Sequence, residues 1–171
     1  MKKFSLLLLL LLFLSVQAKA DLYNSPATLE SISAQIPKMG SIKCKFRQEK
    51  HLQNITKPLI SAGNFEFVEN KGVYFHTLHP IESTVSYTNK NYRQINDIVN
   101  AVSTKKYSKL EKEFDFFFTG NKNSWSLGLQ PKINSSAYNY ISSITIDGTD
   151  YIHKISIQQT NGNNTILWFT K

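Results

Sequence analysis

The sequence predicts an α+β fold: a curved antiparallel sheet with helices laid against its apolar face. Three observations lead there. Between Phe46 and Leu78, apolar and polar residues alternate in three successive runs, F-R-Q-E-K-H-L, S-A-G-N-F-E-F and G-V-Y-F-H-T-L. Alternation of period two puts every second side chain on one face of a strand. Apolar residues instead return at helical spacing over 25–39 and 97–114. Finally, isoleucines two residues apart recur near the C-terminal end, separated by Asp-Gly and Asn-Gly. A sheet that is apolar on one face needs a cover, which the helices can supply.

The elements follow in order. Lys2 and Lys3 form a positive start, Phe4 to Val16 an apolar run, and Ala18-Lys19-Ala20 a small-x-small site before Asp21. The run is shorter than the roughly 20 residues of a spanning helix. It reads as a signal peptide over residues 1–20, cleaved after Ala20, so that residues 21–171 form a single exported domain. Cleavage removes three lysines and no acid, which takes the formal charge from +8 to +5. Ser25 as cap, Pro26 in the first turn and Gly40 as stop predict a helix over 25–39, with Leu29, Ile32, Ile36 and Met39 on one face.

Strands are predicted at 41–51, 59–68 and 73–78, with a turn at Glu69-Asn70-Lys71-Gly72 and a stop at Pro80. Residues 83–88 and 92–95 suggest a further hairpin around Asn89-Lys90-Asn91. Helices follow over 97–104 and 107–114. Strands then come at 115–119 and 124–130, and the last three around Ile144, Ile155 and Ile166. Asp147-Gly148 and Asn161-Gly162 are read as their hairpin turns.

Little in this pattern points to bond-making chemistry. Cys44 is the only cysteine, so no intramolecular disulfide can form, and its place between Ile42 and Phe46 reads as a small buried hydrophobe. His76 and His79 point to opposite faces of a strand and make a poor metal pair. No G-x-S-x-G occurs, and the acids are scattered through turns and polar faces. The expectation is no enzyme, no catalytic residues, no metal and no cofactor. Without a dense basic block or a nucleic-acid motif, nucleic acid is not an expected partner.

The order of the motifs resembles the periplasmic outer-membrane lipoprotein carrier family, LolA, over nearly all of residues 21–171. The residues that carry the resemblance are Phe46-Arg47-Gln48, Gly63-Asn64-Phe65, the span from Phe75 through Pro80 to Glu82, and Trp125-x-Leu127-x-Leu129-x-Pro131. Phe75 stands where the family carries tryptophan, and Glu69 to Gly72 stand where it carries an arginine followed by proline. The resemblance implies an incomplete β-barrel closed by helices over a hydrophobic cavity. It also implies a monomeric carrier of lipoprotein acyl chains or another lipid, loaded by an inner-membrane ABC transporter and unloaded to an outer-membrane receptor. Candidate cavity residues are Phe46, Phe65, Phe67, Phe75, Val85, Tyr87, Phe116, Phe118, Trp125, Leu127 and Ile144. Two further classes stand beside the carrier: a non-transporting lipid-sensing or regulatory domain of the same architecture, and, distantly, an enzyme.

Overall fold

The computed structural model describes residues 22–86 and 93–171. The expected signal peptide, its cleavage site, Tyr87 and the turn at Asn89-Lys90-Asn91 lie outside the described residues. Nine strands form one antiparallel sheet: β1 (Ile42–His51), β2 (Leu59–Val68), β3 (Gly72–His79), β4 (Ser83–Ser86), β5 (Phe114–Asn121), β6 (Ser124–Pro131), β7 (Ile141–Gly148), β8 (Ile152–Gln159) and β9 (Asn164–Thr170). Their spatial order is β4-β3-β2-β1-β9-β8-β7-β6-β5, so β4 and β5 are the two edges and the curved sheet stays open. Three helices accompany it among the described residues: α1 (Leu29–Gln35), α2 (Arg93–Thr104) and α3 (Ser108–Glu113). The fold is α+β.

Alternation places the core. Register pairs Cys44 with Phe65 and Ile42 with Phe67 between β1 and β2. It pairs Phe65 with Phe75 and Phe67 with Val73 between β2 and β3. These side chains share the concave face with Leu127, Ile144, Ile155 and Leu167, and the helices add Ile32, Ile98 and Val102 to the same cluster. Along α2, Ile95, Ile98, Val99 and Val102 are buried, which is the spacing of one helical face.

Three sequence expectations need correction. The first helix does not span 25–39. Thr28 caps it, its side chain accepting from the Ser31 amide, and it ends at Ile36, whose backbone is extended. Pro37 explains the stop, because its ring disfavours helical backbone in the residue before it. Ser25 to Ala27 instead run along the β5 edge, with Ala27 N donating to Phe116 O and Phe118 N to Ser25 O. An edge strand has unpaired backbone groups, and this segment satisfies them. Ile32, Ile36 and Met39 are buried all the same.

Second, residues 93–95 are not strand; they open α2. Ile95 extends the apolar stripe of Ile98 and Val102 by one turn, so burial of that face outweighs any local strand preference. Third, Asp147-Gly148 is not the turn. Gly148 still pairs with Ile152, and the chain reverses over 149–151. The Trp125 indole lies against Gly148, where a Cβ would come within 2.1 Å of the ring, and its N–H donates to Thr149 O at 2.8 Å. Trp125 therefore needs a glycine at that strand end. Residues 22–24, about which the pattern is silent, form a 3-10 turn on the outer face, where Leu22 and Tyr23 cover Gly128 and Phe117. The Tyr23 hydroxyl donates to Ile144 O at 3.0 Å.

Tyr107 is buried at 4% exposure, edge-on to Phe116, and its hydroxyl has no hydrogen-bond partner among the described residues. Burial pushes its phenol up to about 12. An unpartnered buried hydroxyl costs about 1–3 kcal/mol. Tyr107→Phe should therefore melt at or above the parent temperature. A clear fall in the melting temperature would mean that the hydroxyl is partnered after all.

Candidate functional site

The expected cavity residues come together on the concave face, but only some of them border open space. Phe46, Phe65, Phe67, Phe75, Phe116, Trp125, Leu127 and Ile144 are buried in one cluster, with Val85 and Phe118 packed against it from partly buried positions. Phe75 meets Phe46 and Phe65 edge-on, both at 5.0 Å between ring centroids. Phe65 in turn lies 4.5 Å from Phe169. Such tilted and edge-to-face contacts are the preferred arrangement of buried rings. Phe46, Phe65 and Phe75 therefore pack against one another and do not face a gap at those contacts.

Phe65 and Phe67 also line a cavity of about 170 Å³. Its floor is Cys44, Phe65, Phe67 and Phe169; its roof is the segment Met39–Ile42 together with Val99 and Ser103 of α2. Its polar side is made by Asp150, Tyr151 and Lys171. Lys171 pairs with Asp150 at 2.7 Å and lies 4.2 Å over the Tyr151 ring. The ammonium holds the Asp150 carboxyl below its ordinary range, chiefly by donating a hydrogen bond to it. At Cys44, burial pushes the thiol up to about 11.

A second space, about 560 Å³, is a groove at the other end of α2. Its apolar surface is Ile98, Leu110, Phe114 and Ile141, and its polar border includes Gln94, Asp97, Lys109 and Lys112. Lys109 and Asp97 form an ion pair of 2.7 Å across it. None of the candidate residues among those described lines this groove. The sequence carried a signal for it: Ile98, Leu110 and Phe114 form the apolar stripe of the two helical segments. In the structure that stripe both packs on the sheet and flanks the groove beside it.

The two spaces share α2 as a wall, through Gln94, Asp97 and Ile98 on one side and Val99 and Ser103 on the other. Ligand pockets run from about 300 to 1,000 Å³. The groove falls within that range and the cavity below it. An arrangement of this kind can bind an amphiphile by burial, with carboxylate and ammonium groups at its borders. Among the described residues, no group of three or more His, Cys, Asp or Glu side chains is placed to hold a metal ion. His76 pairs with Glu82 at 3.0 Å, and His79 is exposed.

No family model and no curated protein sequence matches the chain. Among solved structures, it is similar to a LolA superfamily protein from Nitrosomonas europaea at 7% identity, with 85% of this chain and 92% of that one covered and a TM-score of 0.36.

Proposed function

We propose that this protein is an exported carrier that holds the acyl chains of a lipoprotein, or of a related lipid, and shuttles them from the inner to the outer membrane. The observation that carries the reading is the pair of unfilled spaces on either side of α2, one smaller with an aromatic floor, one larger with an apolar wall, both bordered by charged side chains. Burial of one methylene contributes about 0.8 kcal/mol, so a chain needs no hydrogen bonds to be held. The smaller space, at about 170 Å³, is below the size of an ordinary ligand pocket. Outward movement of α2 would join it to the groove and make one continuous apolar site. A grip that depends on such a movement can also be released, as transfer to a receptor requires. The sequence adds the apparent export signal and the motif order that resembles lipoprotein carriers.

The test is binding of a fluorescent fatty acid to the exported protein. Micromolar affinity is expected, roughly −8 kcal/mol. Val99→Phe, at the wall between the two spaces, should keep a cooperative melt and lose most of the binding. Cys44 supplies a second readout. With its thiol pushed up to about 11, it exposes little thiolate near neutral pH. Alkylation should be slow at pH 8 and rise about tenfold per pH unit towards pH 10. The raised value also means that burial of the neutral thiol favours the fold fully below pH 9, and that this contribution fades as pH rises through about 11. A bound chain beside Cys44 should slow alkylation further. Absence of probe binding, or binding that leaves Cys44 alkylation and the Val99→Phe variant unaffected, would overturn the site.

A further inference from the structure

Among the described residues, the exposed large apolar side chains other than Tyr74 are gathered at one end of the sheet. That end is where β1, β3, β6 and β8 finish and β2, β4, β7 and β9 begin. At its β1–β4 corner stand Ile55 at 51% exposure, Leu59 at 54%, Ile60 at 39%, Leu78 at 50% and Ile81 at 77%. Ile55 lies in the β1–β2 turn, and Leu59 and Ile60 are the first residues of β2. Leu78 is the extra residue where the β2–β3 register shifts at Ala62/Gly63. On the same end, the β6–β7 connection carries Ile133 at 76%, Tyr138 at 46% and Tyr140 at 71%. Thr160, in the β8–β9 turn, ties that connection to the end of β8 by donating its amide to Tyr140 O and its hydroxyl to Asn139 O. Tyr74, on β3, is the remaining exposed large apolar residue among the described ones. The turns at the opposite end, 69–71, 121–123 and 149–151, add none.

We infer that this rim docks on the surface of a lipid bilayer. Packing does not require the pattern. Scattered exposed apolar residues are ordinary, but their concentration at one end marks an interaction surface. The shape favours lipid over a folded partner. The side chains come from separate turns and strand ends and project as single points, which can enter the headgroup layer one by one. Tyrosines beside aliphatic residues suit the membrane–water interface, where the ring is buried and the hydroxyl stays wet. Lys50 and Lys57 are exposed in the same hairpin and form no ion pair among the described residues. Their ammonium groups can meet lipid phosphates. At that corner, Glu49 is paired with Arg47 and His51, and Glu82 with His76. Tyr140 also lines the 560 Å³ groove, so docking would set that opening against the bilayer. The rim can meet a membrane whether or not the interior holds a chain.

The opposite end offers a contrasting route, since Lys43, Lys71, Lys122 and Lys171 stand there. Attraction through those lysines alone would be purely electrostatic. The experiment is co-sedimentation of protein purified from the exported fraction with phosphatidylcholine vesicles, and with vesicles that also contain phosphatidylglycerol. Binding to both is expected, tighter to the anionic ones. Ile60→Asp with Ile81→Asp should lower the partition coefficient about tenfold or more, since aspartate cannot follow isoleucine into the interface. Tyr74→Asp, away from the rim, should leave it unchanged. A cooperative melt checks that each variant folds, and fatty-acid probe binding should persist in the double variant. Failure of the acyl-chain site would remove probe binding and leave sedimentation intact, so the two readings fail separately. Three results would overturn the rim. One is no sedimentation with either vesicle. Another is equal sedimentation of parent and double variant. The third is binding only to anionic vesicles that high salt abolishes, which would assign docking to the basic end.

Discussion

Gly63→Ala should cost this protein most of its stability. A Cβ at Gly63 would lie 2.0 Å from the His76 carbonyl oxygen and 2.9 Å from Thr77 Cα. Both are backbone atoms of β3, so no side chain can turn aside to make room. Gly63 sits where the β2–β3 register shifts, and the close approach of the two strands there fixes how Phe65 meets Phe75. Relief of the clash would push β3 outward and open the aromatic cluster. Overpacking against movable side chains costs about 1–3 kcal/mol. Against backbone the cost should exceed that, in a domain whose total stability is about 5–15 kcal/mol. The measurement is a thermal melt beside Gly40→Ala, where an added Cβ meets nothing within 4 Å. A Gly63→Ala protein that melts with the Gly40→Ala control would show that β3 yields easily and that the close approach has no structural weight.

Phe75→Glu is expected to unfold the domain, and with it to abolish lipid binding. Phe75 is 3% exposed, between Phe46 and Phe65, and its cross-strand neighbours are Phe65 and Val85. It borders neither the 170 Å³ cavity nor the 560 Å³ groove. A carboxylate there would meet aromatic edges and no water-filled space, and burial of an unpaired charge is far costlier than loss of a contact. Truncation alone, Phe75→Ala, should cost about 3–5 kcal/mol. Phe65→Leu makes the contrast, because Phe65 does border the cavity: it should keep its fold and alter probe affinity more than stability. Melts and probe titrations on the purified variants check both. A Phe75→Glu protein that melts cooperatively but has lost the probe would place Phe75 on the wall of the ligand space, and one that melts and binds like the parent would remove it from the interior.

The strands were legible because alternation is a local property. Residues 59–68 read as a strand from Phe65, Glu66 and Phe67 alone, and the structure has β2 over those residues. The faces were legible for the same reason: Cys44, Phe46, Phe65 and Phe75 all had to share one side once the register was set. Where local signals competed, the sequence was less informative. Ser25-Pro26 is a sound helix start by its residues, yet the β5 edge takes that segment because unpaired edge groups lie beside it in space. Of the segment 92–95 that reads as strand, residues 93–95 belong to α2, where Ile95 is buried beside Ile98.

For the site, composition showed a sheet face rich in phenylalanine but not how much of it would be filled. Whether Phe75 packs against Phe46 or faces a gap depends on where α2 and the Met39–Ile42 segment settle, and no spacing along the chain encodes that distance. Nor does the pattern reveal that Ile60, Ile81 and Tyr140 share a rim. They are separated in sequence and meet at one end only through the pairing order of the strands. Periodicity along the chain is enough for the α+β class, the strands and the apolar face. Which apolar residues fill space, which border it and which stand out at the rim follows from contacts between distant segments, and those form only in the folded chain.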